Sequence, residues 1–569
     1  MSKNYLILAV MAMVAIYSSA MFFSASARDY WEGERNVETI YGKVVDDDGN
    51  PLPARVELWY ANLTPIAEEM GENISESEQW MRNLFHAAHT TEKGWYRLEA
   101  PAGQWLVRVS RGPEYEIKEA MVTVNKTAEN KTDTASVRMD WTLNHLYDLE
   151  SLGWYSGDMH VHSSHSDGRQ PVSEIAGAML ANDVDFAPLT DHNSVSGLEE
   201  WLLYESDEFL PVGGVEITTK SALGMEEMGI GFGHQNAIGI TELVGATKPE
   251  NMSLWYRYVF SNWTDVQAAI DETHARGGLY MLNHPFWIDG WPDGTISTWG
   301  KIHDYDAIEI YNGWPDTVGA GPHMDPTYGG VNVNTNTLAT QAWFELMNAG
   351  NRVSGWGSTD SHDVLGLKHT DNAPDYWRSS AGNARTYVHS HNLSWDDVKD
   401  ALKAGNAFVT AGYWGPLLLV DSQGSEPGDE VEAENGTLPL HIRLLSNRPL
   451  GNFSDGIRII VGGQVVKTLP TIEGAMEMEE NLTIEVKAEN DTWAVVEAFG
   501  QWPSMAITNA IYLDLPPFGE WGASEWTYPE GSDRWMSTNS SLPEVTVPDG
   551  PARSQVTVGS RVELIEQGS

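Results

Sequence analysis

From about residue 150 to 412, short apolar runs that read as strands alternate with stretches of helical periodicity. Histidines and carboxylates mark the strand ends. GDMHVH precedes a helix near Ser173–Asn182, and VDFAPLTDH, LPVGGVEIT and QNAIGI read as further strands. A helix near Thr264–Arg276, ended by Gly277, leads into GLYMLNHP. Then come YDAIEIYNG, a helix near Leu338–Asn348 and VSGWGSTDSH. Finally Ser394 caps a helix that Gly405 ends, before the strand NAFVT. Such alternation calls for parallel strands joined by crossover helices, most simply closed as a barrel. In barrels of this kind the reactive groups sit at the carboxyl ends of the strands.

The flanks read differently. Residues 36–145 are all-β in pattern, with alternating strands around DDDGNPLP and Pro-Ala-Gly turns. They resemble the carboxypeptidase-regulatory-like or transthyretin-like sandwich modules that precede many exported hydrolases, where such a module is a spacer or stabiliser. Residues 413–515 return to β character (HIRLLS, GIRIIVGGQVV, AVVEAFG) and predict a second sandwich. Residues 516–569, rich in Pro, Gly, Ser and Trp, predict a loosely structured tail. The expected architecture is multidomain α/β plus all-β, a barrel over 150–412 between N- and C-terminal β-sandwich domains.

Composition narrows the function classes. The 81 acidic against 34 basic side chains leave a formal charge of −47, which repels nucleic acid, so no nucleic-acid partner is expected. There is no cysteine, which excludes disulfides, thiolate metal sites and cysteine nucleophiles. Residues 1–27 carry an apolar run from Tyr5 to Phe23 behind Lys3, then Ala25-Ser26-Ala27. This is an export signal, either cleaved or kept as a single membrane anchor, since a span needs roughly 20 residues. The expected location is secreted, or tethered at the outer face of the cytoplasmic membrane.

The candidate site residues are His160, His162 and Asp167 in HVHSSHSDG, His192 in LTDHN, Glu216 in GGVEIT, His234 in GFGHQNA, His284 in LNHP, and Asp360 and His362 in STDSHD. Residues i and i+2 of a strand point to one side, so His160 and His162 can grip one ion together, as can Asp360 and His362. Neutral imidazoles suit Zn, Mn or Fe, while carboxylates add charge and bridge ions; Glu216 is the natural bridge. Alone, each element has a plainer reading. TDHN can be a helix-capping turn with Asp191 as cap, STDSHD a polar loop, and His284 before Pro285 a strand end. Together they predict two or three divalent ions and hydrolysis by metal-bound hydroxide, with His160, His162, Asp167, Asp191, His192, Glu216, Asp360 and His362 as the candidate catalytic set.

The order HxHxxxxSDG, TDH, E, H, HP, DSH resembles the polymerase and histidinol phosphatase (PHP) domain, over about 150–412. The resemblance implies a distorted (β/α)7 TIM-like barrel metallohydrolase. It also implies metal binding by His160, His162, Asp167, His192, Glu216, His234, His284, Asp360 and His362. EIYNG at Glu309–Gly313 and the closing GNARTYV…VKDALKAGNAFVT resemble the exported, carbaryl-hydrolase-type branch. One departure matters. Phosphatase members place arginines near HP, whereas here Phe286-Trp287-Ile288-Asp289 follows. Arg169, Lys220, Lys368 and Arg378 are the candidate replacements. Trp287, Trp291, Tyr311, Trp314 and Trp356 predict either an apolar or sugar-accepting pocket or loop packing. The expected substrate is a small phosphoester, with a carboxyl ester, carbamate or amide as the alternative. A third reading is a non-catalytic surface protein that merely holds metal.

Overall fold

The computed structural model describes residues 38–61, 84–125, 136–221, 233–245, 258–260, 263–285, 302–313, 335–365, 380–411, 415–451, 453–488, 490–499, 505–516, 521–522 and 525–527. The apolar run at residues 5–23 and most of the tail lie outside them. Among the described residues no helix is long and apolar enough to cross a membrane.

The first unit has eight strands: β1 (Glu38–Val45), β2 (Arg55–Tyr60), β3 (Leu84–His89), β4 (Trp95–Ala100), β5 (Gly103–Ser110), β6 (Lys118–Val124), β7 (Ser136–Arg138) and β8 (Trp141–Thr142). One sheet runs β4-β1-β7, with β8 also on β1, and a second runs β3-β2-β5-β6. Alternation sets the facing. In β4, Tyr96, Leu98 and Ala100 turn inward while Trp95 stays exposed. Ile40, Val56, Leu98 and Val107 fill the space between the layers.

The central unit runs β9 (Trp154–Gly157), α1 (Val172–Ala181), β10 (Phe186–Leu189), α2 (Leu198–Trp201), β11 (Leu210–Ser221), β12 (His234–Ile238), β13 (Tyr258–Phe260), α3 (Trp263–Ala275), β14 (Leu279–Leu282), β15 (Ala307–Asn312), α4 (Thr335–Asn348), β16 (Ser354–Ser358), β17 (Ala384–His389), α5 (Trp395–Ala404) and β18 (Ala407–Ala411). The helices expected after GDMHVH, before GLYMLNHP, before VSGWGS and between Ser394 and Gly405 are α1, α3, α4 and α5. In α5 the Ser394 hydroxyl accepts the Asp397 N–H, and Gly405 ends the helix at φ 84°.

The sheet order β16-β15-β14-β12-β11-β10-β9-β17 curls into a half-barrel. Neighbours β9, β10 and β11 are parallel, as are β14, β15 and β16. β12 and β17 depart from the all-parallel expectation, since both run antiparallel to their neighbours. β11 and β12 pair with each other directly, with Glu216 opposite Asn236. Past the strand ends, a bridge joins Val161 to Ser361, and the His162 N–H donates to the Ser361 carbonyl at 3.0 Å. Thus the chain after β9 meets the chain after β16.

The last strands are β19 (Leu417–Asp421), β20 (Glu430–Glu432), β21 (Thr437–Leu445), β22 (Ile457–Val461), β23 (Gln464–Leu469), β24 (Glu477–Glu485), β25 (Thr492–Phe499), β26 (Met505–Thr508) and β27 (Ile511–Asp514). They form two layers, but not a free-standing sandwich. β26 pairs with β18, so one layer continues the half-barrel sheet, while β19-β21-β24 forms the other. Trp493, Val495 and Met505 accordingly share a core with Ile308, Tyr311 and Trp343.

Asp158, just past β9, is buried and ties these edges together. It accepts the Thr359 N–H at 2.9 Å, the Thr359 hydroxyl at 2.6 Å and the Gly382 N–H at 2.9 Å. Asp158→Ala strips the acceptor from two buried N–H groups and a hydroxyl. Each orphaned group costs about 1–3 kcal/mol. The expected outcome is a clear fall in calorimetric unfolding temperature, while Asp46→Ala, in an exposed turn, has little effect.

Candidate metal centre

The strands that build the half-barrel deliver the polar residues to one end. His160 and His162 follow β9, His192 follows β10, His284 follows β14, and Asp360 and His362 follow β16. Glu216 lies within β11, and a parallel bridge extends its ladder to His192. His234 starts β12, and because β12 is antiparallel its first residue stands at the same end as the others' last.

All nine expected ligands converge. Around one point, His160 Nε2 lies 3.0 Å from His162 Nε2, 3.3 Å from Asp360 Oδ1 and 3.5 Å from Glu216 Oε1. His162 Nε2 lies 3.0 Å from Asp360 Oδ1 and 3.4 Å from Glu216 Oε2. Donors around an ion at roughly 2.0–2.2 Å stand about 3–4 Å apart, so the spacing fits. A second group joins His162, Asp167, His192 and His362, with Asp167 Oδ1 at 3.1 Å from His362 Nε2 and 3.7 Å from His192 Nε2. A third joins His192, Glu216 and His234, with His234 Nδ1 at 3.0 Å from Glu216 Oε1. His284 Nε2 stands 3.5 Å from the same oxygen. Glu216 therefore spans two groups, as a bridging carboxylate must.

Two buried oxygens test the fit. Glu216 Oε2 and Asp360 Oδ1 accept no hydrogen bond, although imidazole nitrogens approach to 2.5 Å and 3.0 Å. Buried carboxylate oxygens are nearly always satisfied. Oxygens and nitrogens crowded together without hydrogen-bond geometry are what a cation between them would satisfy. An all-nitrogen and oxygen donor set suits Zn, Mn or Fe.

Hydrogen bonds behind the ligands orient them. His160 Nδ1 meets Glu309 Oε1 at 3.2 Å, and His362 Nδ1 meets the Asp360 carbonyl at 2.9 Å, leaving both Nε2 atoms for the centre. His192 Nδ1 lies 2.5 Å from Thr218 Oγ1. Asn283 donates to Glu216 Oε1 at 3.0 Å. Asp191 stands behind the cluster: Ser163 N–H, Ser163 Oγ and Ser166 Oγ all donate to it, at 2.8, 2.6 and 2.6 Å. Gly168 is required where it stands, because a Cβ there would meet the His162 carbonyl oxygen at 2.5 Å. His284 and Asp360 take φ of 23° and 50°, a strained region for residues with side chains. The Asp167 side chain is 39% exposed while Glu216 is wholly buried, so Asp167 marks the open side.

The acids and imidazoles of the cluster shift one another's titration. Burial pushes Glu216 and Asp360 up, but the surrounding imidazoles hold both well below the carboxylate range. Burial lowers His162 to about 3, helped by His362 and His192. Burial also works against charge on His160, yet Asp360, Glu216 and Glu309 hold it well above the usual value. His362 is likewise raised despite burial, chiefly by Asp167.

Other expectations resolve unevenly. Tyr311 and Trp356 are buried packing residues rather than pocket walls, and the Tyr311 hydroxyl donates to Met505 Sδ. Trp287, Trp291, Trp314, Lys368, Arg378 and the side chain of Lys220 lie outside the described residues. Arg169 is exposed, and its N–H donates to the His362 carbonyl at 2.9 Å. His165 and His274 are bystanders, on Ser196 at 2.8 Å and Asp306 at 2.7 Å. Sequence reasoning passed over Glu309 as a site residue, although a glutamate inside the apolar run AIEIYN was a usable signal.

No family model and no curated protein matches the chain. Among solved structures it is similar to a two-domain protein containing a predicted PHP-like metal-dependent phosphoesterase from Bacteroides vulgatus, at 15% identity and TM-score 0.30, over 61% of this chain and 91% of that one. It is also similar to a lesion-specific endonuclease from Pyrococcus furiosus, at 12% identity and TM-score 0.30, over 45% of this chain and 57% of that one. A third is an amidohydrolase from Chromobacterium violaceum with bound sulfate and no metal, at 14% identity and TM-score 0.25, over 39% of this chain and 93% of that one.

The raised histidines predict a pH dependence. His160 and His362 hold protons above the ordinary value of 6.5 in the metal-free chain, and an ion must displace them. Divalent-ion affinity should rise with pH from 6.5 upward, roughly tenfold per unit for each proton displaced, and level off above the raised values. Calorimetric zinc titrations in buffers of different ionisation enthalpy should show net proton release. Affinity flat between pH 6 and 8 would contradict it.

Proposed function

We propose that the chain is an exported metal-dependent hydrolase acting on phosphoesters, with diesters preferred over free monoesters. The observation that carries this reading is Glu216: buried, anionic, within 3.5 Å of His160, His162, His192, His234 and His284, yet with one oxygen accepting no hydrogen bond. Two or three divalent ions would be held by His160, His162, Asp167, His192, Glu216, His234, His284, Asp360 and His362. When bound, such ions supply Lewis acidity toward an ester oxygen and make a water acidic near neutral pH. The chain's own part is to orient and to exclude. Glu216 and Asp360 keep their charge, Glu309 and the Asp360 carbonyl turn His160 and His362 inward, and the buried floor sheds bulk water. Asp191 braces the loop carrying Asp167, so the substrate approaches from the Asp167 side.

β9, β10, β11, β12, β14, β15 and β16 are read as a distorted seven-stranded (β/α) barrel, with the Val161–Ser361 bridge as its closure. The order of the ligands resembles that of the PHP domain, which supports a phosphoester bond. Export is supported by the apolar run Tyr5–Phe23 in the sequence.

A neutral carboxyl ester or carbamate is the second reading, favoured by one observation: no arginine follows His284-Pro285. Dianionic phosphate is best met by paired guanidinium donors, and a charge of −47 repels it further. Both readings predict a higher kcat/KM on an aryl diester or neutral ester than on the matched aryl monoester. The comparison belongs at two ionic strengths, because salt screens the repulsion. A monoester preference that persists at low salt overturns the diester assignment. Asp360→Ala should abolish turnover on every substrate, by about 100-fold or more, with the far-ultraviolet spectrum unchanged. Full turnover by that variant would refute the centre.

A further inference from the structure

Glu309 is the one fully buried carboxylate of β15 at the centre, and it differs from Glu216 and Asp360 in one respect: its oxygens are occupied. Oε1 accepts from His160 Nδ1 at 3.2 Å and from the Ser358 hydroxyl. Oε2 accepts from the His284 N–H at 2.6 Å and from Asn312 Nδ2 at 3.0 Å. A carboxylate has about four acceptor positions, and all are used. Asn312 also donates to Asp360 Oδ2 at 3.3 Å. Glu309 thus reaches, directly or through one neighbour, the ligands that follow β9, β14 and β16.

We infer that Glu309 is a positioning residue of the metal centre, setting the tautomer of His160 and the backbone of His284, rather than a ligand. The inference rests on the metal-centre reading above. Its first part follows from proton counting. Nδ1–H of His160 is donated to the carboxylate, so the proton an ion displaces is the one on Nε2, and the lone pair it leaves faces His162, Asp360 and Glu216. Its second part follows from strain. His284 lies at φ 23°, and the short hydrogen bond from its N–H to Glu309 ties down the backbone at that strained position. The same three residues, His160, His284 and Glu309, stand close enough together to suggest an ion among them. The donors already on both Glu309 oxygens argue for support instead.

The test uses the full chain and zinc as probe, with metal content and competition against a chromogenic chelator as readouts beside activity. Glu309→Gln keeps the volume but removes charge and two acceptor positions. It should weaken the ion that His160 helps hold by roughly 10–100-fold, the usual cost of losing an outer partner of a ligand. The ion held by His162, Asp167, His192 and His362 should keep its affinity. Ser358→Ala, a milder change, should shift the same ion in the same direction by less, which covers the case where the first variant folds poorly. Excess zinc should restore stoichiometry and turnover in both variants, but not in His160→Ala. Wild-type affinity in Glu309→Gln overturns the inference. So does a Glu309→Gln protein that behaves as His160→Ala at saturating zinc, for that would make Glu309 a ligand. A wild-type chain that binds no divalent ion sinks the metal-centre reading itself, an outcome distinct from both.

Discussion

The buried charge of Glu216 is what the rest of the site must accommodate. A carboxylate with no exposure is costly unless positive charge or donors surround it. Here three strand ends and the start of an antiparallel strand bring imidazoles to within 3.5 Å of it, and Asn283 adds one N–H. Protonated His160 and His362 offset part of that charge in the metal-free chain. The arrangement stays short of neutral hydrogen-bonded satisfaction, and that shortfall is the structural argument for cations.

Around this centre sits a ring of supports made from ordinary residues. Asp191 braces the HxH loop through Ser163 and Ser166, Asp158 braces Thr359 next to Asp360, and Glu309 braces His160 and His284. Each support is a buried acid whose partners are mainly N–H and O–H donors rather than other charges. Ligands at strand ends are loop residues, and loops are mobile unless tied. Three carboxylates tie them, two just past strand ends and one, Glu309, inside β15.

The flanking β units contribute through contact. Arg55 of the first unit, wholly buried, donates to the carbonyls of Val364 at 3.2 Å and Leu365 at 2.6 Å, just beyond His362. Its Glu114 accepts from the Leu149 N–H and the Tyr387 hydroxyl of the half-barrel. On the other side β26 extends the sheet from β18, so the C-terminal layer stiffens the strand next to β17. These contacts tie the flanking strands to the half-barrel.

Much of the centre was legible in the chain itself. A histidine or carboxylate following an apolar run is a local pattern, and strand periodicity tells which side it faces. So the nine candidate ligands, four of the helices and the all-β flanks could be read directly. Three things could not. Antiparallel β12, which brings His234 to the correct end, depends on pairing between β11 and β14. The merging of the C-terminal layer with the half-barrel depends on one ladder between residues about a hundred positions apart. Glu309 was passed over because its partners, His160, His284 and Ser358, come from other strands. Which side chains are available, and the local element each sits on, follow from short-range periodicity and turn chemistry and are legible along the chain. Which acids face the centre and which stand behind it depends on hydrogen bonds between residues far apart in the chain, and those exist only in the folded state.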